Sequence, residues 1–74
     1  MEVDGIFSEG MDYGHAVETL RIVLRRARIP CRVDHRDGGA AVRVTIHGEA
    51  EDAERRFVVA ILRAICREIS VPLP

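Results

Sequence analysis

The stretch CRVDHRDGGAAVRVTI, residues 31–46, decides the fold. Asp37-Gly38-Gly39 interrupts it, and glycine supplies the positive φ that tight hairpin turns need. Strands are predicted on either side, over 31–36 and 40–47. Cys31, Val33 and His35 share one face of the first strand. Val42, Val44 and Ile46 share one face of the second. A two-residue loop at Gly38-Gly39 sets Val33 opposite Val44 and Cys31 opposite Ile46. That register puts both apolar sets on one side of the hairpin. It also sets Asp34 opposite Arg43 on the other side, a favourable cross-strand pair.

Helical patterns flank the hairpin. Over 12–28, Val17, Leu20, Val23, Leu24 and Ala27 recur at helical spacing. Asp12 is the expected N-cap. Ile29-Pro30 ends the helix, because a residue before proline avoids the helical region. Over 49–69, Glu49, Glu51, Asp52 and Glu54 crowd the start of a second helix, as its dipole favours. The predicted fold is therefore α+β, in the order α-β-β-α, with a hairpin packed against two helices. Residues 1–11 read as an acidic N-terminal arm, with a short extra strand as the alternative for 1–10, 12–70 as the domain and 71–74 as an extended tail.

The second helix has more apolar surface than such a fold can cover. Asp52, Arg56, Arg63, Arg67 and Ser70 fill one narrow sector of its wheel. The apolar remainder spans roughly 260°, against the 100° or so that a surface helix needs. A lone hairpin also leaves two open edges and is barely stable. Both arguments point to a homodimer, in which a partner extends the sheet or covers Phe57, Val58, Val59, Leu62 and Cys66.

Composition narrows the function. Hydrophobic residues make up 47% of the 74 and aromatic residues 4%, so the core must be aliphatic. The two cysteines, Cys31 and Cys66, are too few for a disulfide framework and fit buried thiols in a reducing cytoplasm. The sequence shows no signal-peptide pattern and no apolar run long enough to span a bilayer, so no membrane role is expected. His15, His35 and His47 with Cys31 and Cys66 are the conceivable metal ligands. Cys31 and His35 stand four residues apart on one strand, about 13 Å, which is too far to share a zinc ion. Neither cysteine has the exposed, electropositive setting of a reactive thiol. The carboxylates at 49–54 are explained by the helix start, and no phosphate-binding glycine loop is present. A chain this short is expected to lack a cleft of about 300 Å³. No metal, no cofactor and no catalysis by this chain alone are predicted.

Charge gives the remaining signal. All eleven basic residues are arginine, and net charge is −1. Residues 1–18 carry five acids and no base, whereas 21–36 carry six arginines and one acid. Arg21, Arg25 and Arg28 follow helical spacing, Arg32 and Arg36 continue on the first strand, and Arg43 lies nearby on the second. Ile22 adds an apolar spot within the rim. Such a face grips an acidic protein or phosphates, or is a solvated face balanced by the acidic segment. Nucleic-acid binders usually show stacking aromatics or a basic excess, and neither is present. The expected function is a non-enzymatic protein–protein interaction module, a small inhibitor or adaptor that masks a larger, for example nucleoprotein, complex. The alternative is a small nucleic-acid-binding regulator using the same arginines. A third possibility is an enzyme subunit whose site another chain completes.

Overall fold

Glu2–Phe7 form a strand, β1, inside the sheet. This corrects the expectation of an acidic arm. Along β1 the side chains of Val3 and Phe7 are buried with Gly5, while Glu2, Asp4 and Ile6 turn to the other side. That alternation of period two is what a strand with one covered face requires. The structure, a computed structural model, describes residues 1–71, so the predicted tail falls mostly outside the described residues.

Helix α1 (Tyr13–Arg26) follows. The Asp12 carboxylate accepts a hydrogen bond from the His15 backbone N–H at 3.1 Å, so the expected N-cap is present. Strands β2 (Cys31–Arg36) and β3 (Ala41–Ile46) come next. Their register is the predicted one, with Val33 opposite Val44 and Cys31 opposite Ile46. The loop is four residues long and not two. Asp37–Gly39 form a 3-10 turn in which Gly38 and Gly39 take φ of 66° and 101°.

Helix α2 (Asp52–Ile65) opens with the Glu51 backbone N–H donating to the Glu54 carboxylate at 2.9 Å. It ends four residues earlier than its apolar pattern suggests. Cys66 turns extended (φ −114°, ψ 140°), and Cys66–Ser70 form β4. Cys66 pairs opposite Phe7, with a register shift at Ile6/Phe7.

The sheet order is β2-β3-β1-β4, with every neighbouring pair antiparallel. This is the β-α-β-β-α-β pattern of the ferredoxin-like, split β-α-β arrangement. The α+β class stands, and the α-β-β-α order is corrected to one with a strand at each end. The hairpin's need for further strands, which had suggested a second copy, is met within the chain.

Both helices contribute to one core with the covered side of the sheet. Val3, Phe7, Val42, Val44 and Ile46 meet Val17, Leu20, Leu24, Val58 and Leu62 there. The core is aliphatic as expected except for Phe7, which is 1% exposed. No polar or charged residue is buried among the described residues. The opposite side of the sheet is open and carries Glu2, Asp4, Arg32, Arg36 and Arg43.

Candidate functional site

The arginine face of the sequence divides into two places. Arg21, Arg25 and Arg32 gather at an open groove of about 580 Å³ between α1 and β2. Leu24, Ile29, Cys31 and Val33 supply its apolar parts and Asp34 its acid. Arg36 and Arg43 line a separate depression of about 320 Å³ on the open sheet face, with Asp4, Ile6 and Glu68. The expectation that so short a chain lacks a cleft of this size is corrected, although both hollows are open grooves.

The groove follows from topology. β2 is an edge strand, because β3 is its only neighbour. The Pro30 carbonyl accepts a hydrogen bond from the His47 N–H across to β3. Backbone groups alternate sides along an antiparallel strand. Those of Arg32, Asp34 and Arg36 therefore face β3, and those of Cys31, Val33 and His35 face outward. Arg21 reaches down from α1 and donates to the Val33 carbonyl at 3.0 Å and to Glu18 at 3.0 Å. A guanidinium with several planar donors can hold both at once. Arg32 donates to Asp34, two residues along the same strand face, at 3.1 Å. Arg25 is exposed and has no carboxylate partner among the described residues.

Arg28 lies past the end of α1 in the left-handed region, at φ 58°. It is exposed and does not line the groove. Ile22 is 44% exposed, on the outer side of α1 and away from the groove. It stands one helical turn from Arg25 and Arg26, outside the groove itself.

Arg43 belongs to the neutralised part of the surface. It donates to both Asp4 oxygens, at 2.7 and 3.3 Å, and lies 3.4 Å from Glu2. Asp34 is its cross-strand neighbour, as the register predicts, yet the ion pairs go to β1 instead. The acidic N-terminal segment thus balances Arg43, while Arg25 remains available.

The Arg43 hydrogen bond holds the Asp4 carboxyl below its ordinary value of 3.8, against a smaller opposing effect of burial. A depressed folded-state value stabilises the fold above the unfolded value and loses that contribution as pH falls through the folded one. Asp4→Asn is therefore expected to be less stable than the parent near neutrality, with the gap closing below roughly pH 4. Both side chains keep substantial exposure, so the gap is small. Thermal melts of both proteins from pH 7 to 2.5 check this, and a gap that persists at low pH contradicts it.

The residues assigned to self-association fare unequally. Val58 and Leu62 are wholly buried in the chain's own core, and Cys66 is 8% exposed in β4. These three are corrected to core residues, because the four-stranded sheet covers the side of α2 that a hairpin could not. Val59 is half-buried, whereas Phe57 is 43% exposed. A second hollow on the helix layer, about 270 Å³, is lined by Met11, Ala16, Leu20, Val23, Ile61 and Ile65. Phe57 and this hollow are the apolar surface that α2 leaves open on the helix layer.

Burial pushes both Cys31 and Cys66 up from the ordinary thiol value, which disfavours the thiolate. His35 donates from Nε2 to the Gly39 carbonyl at 2.7 Å and meets the Phe7 ring edge-on. Among the described residues no three histidine, cysteine or acidic side chains converge to hold a metal. No described helix is long and apolar enough to cross a membrane.

Sequence reasoning missed the outward backbone of β2. With only two strands in view, either could have been an edge. Comparison with protein-family models, curated proteins and solved structures returns no match.

Proposed function

We propose that this domain is a non-catalytic protein-interaction module whose α1/β2 groove receives an acidic partner. The convergence of Arg21, Arg25 and Arg32 over the apolar Leu24 and Ile29 carries the reading. Around this groove and the end of α1, Arg21 pairs with Glu18 and Arg32 with Asp34, while Arg25, Arg26 and Arg28 have no ion pair among the described residues. The net charge of −1 gives no bulk attraction for anions, so binding of an acidic probe has to be local. Fold alone does not favour any function. An adaptor or inhibitor acting by occupancy suits an open groove lined by arginine and apolar side chains.

The test is fluorescence anisotropy with labelled decaglutamate in low salt. Decaglutamate is expected to bind, and the double variant Arg25→Glu/Arg32→Glu to weaken it by about tenfold, the size of a partly exposed charge contact. The melting temperature should barely move, because neither side chain is buried. Equal binding by the double variant rejects the groove. Tighter binding of an oligothymidine of matching charge favours the nucleic-acid regulator instead.

A further inference from the structure

We propose that the acidic partner segment adds to the sheet as an extended strand along the open edge of β2. The proposal rests on the groove being the acid-binding site, and it specifies how the acid is held. β2 turns the backbone groups of Cys31, Val33 and His35 outward, and the groove runs beside them. An extended peptide laid there can continue the hydrogen-bond ladder, which is how strand addition gains affinity.

Charge and side-chain geometry name the kind of peptide. Successive side chains of a strand point to opposite sides of the sheet. On the helix side, an added strand meets Arg21 and Arg25 above Leu24 and Ile29. On the open side it meets Arg32. Carboxylates are therefore matched on both sides, and apolar side chains are matched only over the floor of the groove. A segment alternating acidic and aliphatic residues fits this pattern.

Arg21 gives the edge its selectivity. Its guanidinium holds the Val33 carbonyl, the acceptor that an incoming strand's N–H needs. A bare edge would pair with any extended chain, and natural sheets commonly guard their edges with charge. Here the guard is cationic. An acidic strand can take over the Val33 carbonyl and offer Arg21 a carboxylate in exchange. A neutral or basic strand displaces Arg21 with no such return. A phosphate backbone could engage the arginines and accept from the outward N–H groups of β2, but it has no donor for the outward carbonyls.

The test uses the intact chain and a fluorescein-labelled heptapeptide of alternating glutamate and valine. Two control peptides carry N-methyl groups on alternate amides, one in each register. Methylation keeps charge and side chains but removes the strand-pairing N–H groups. The unmodified peptide is expected to bind. The methylated peptide blocked on the pairing side should bind about tenfold more weakly, as loss of one or two net hydrogen bonds implies. Amide resonances of Cys31, Val33 and His35 should shift in nitrogen–proton spectra. Equal binding by all three peptides overturns strand addition and leaves the acid-binding groove standing. Binding of decaglutamate or the heptapeptide without shifts at those three amides does the same. Failure of every acidic peptide to bind overturns both proposals.

Discussion

Phe7→Ala is expected to lower the stability of the domain by about 3–5 kcal/mol, the usual loss for a truncated core phenylalanine. Phe7 is 1% exposed and belongs to the central strand β1. Its ring stacks on Tyr13 with centroids 5.7 Å apart, meets His35 edge-on at 6.4 Å, and lies opposite Cys66 in the register with β4. One truncation thus loosens α1, the β2 edge and β4 together. A domain of 74 residues has a total stability of roughly 4–11 kcal/mol by the usual per-residue range. The variant is therefore expected to be partly or wholly unfolded at 37 °C. Urea denaturation followed by circular dichroism measures the loss. Phe57→Ala is the control, since that ring is 43% exposed and its removal should cost well under about 1 kcal/mol. Equal, small effects of the two substitutions would mean that residues 2–7 are an arm after all.

That comparison also shows where the sequence could be read and where it could not. The hairpin register was legible because valine alternation and the two glycines gave the same answer independently. β1 was hidden by its own composition. Glu2 and Asp4 make it look like a charged arm, and Gly5 is a poor strand former. Its one periodic sign is the spacing of Val3, Gly5 and Phe7, and Gly5 has no side chain to show in it. β4 was hidden for a different reason. Ile65, Cys66 and Ile69 continue the helical spacing of α2, and no glycine or proline stands at residue 66. The helix ends where Cys66 turns extended and pairs opposite Phe7, and pairing of that kind lies outside local sequence. The large apolar arc assigned to α2 was therefore partly a strand. The strands that a second copy was expected to supply are present in the chain itself.

The candidate site was half legible for a related reason. Arg21 and Arg25 could be placed together because they share one helix, where spacing fixes the face. Arg32 joins them only because α1 crosses over the β2 edge. Arg36 and Arg43 share the open face with Arg32 but lie farther from the α1 crossing, in the depression lined by Asp4, Ile6 and Glu68. Which arginines are neutralised depended on the missing strand. Arg43 looked available until β1 placed Asp4 within 2.7 Å of it.

Gly5 offers the second strong test, because two general rules predict opposite signs for it. Replacing a strand glycine by alanine ordinarily stabilises by about 0.4–1 kcal/mol, through a less disordered unfolded chain. The structure opposes this. A Cβ built on Gly5 would lie 2.7 Å from the Cys66 Sγ, 3.5 Å from its Cβ and 3.6 Å from Val42 Cγ1. Only the first of these contacts is impossible, and Cys66 is 8% exposed with little room to turn away. Overpacking of a buried site costs about 1–3 kcal/mol, so Gly5→Ala is expected to destabilise on balance, by about 1–2 kcal/mol. The clash has one identifiable source, and that makes the prediction sharp. Cys66→Ala removes the sulfur and leaves ordinary contacts, so Gly5→Ala should be tolerated in that background. A double-mutant cycle of urea midpoints should return a favourable coupling of about 1 kcal/mol or more. Additive effects would separate Gly5 from Cys66, and with them β1 from β4. A coupled pair would explain why a glycine occupies the middle of a central strand: the thiol at the start of β4 fills the space that its side chain would take.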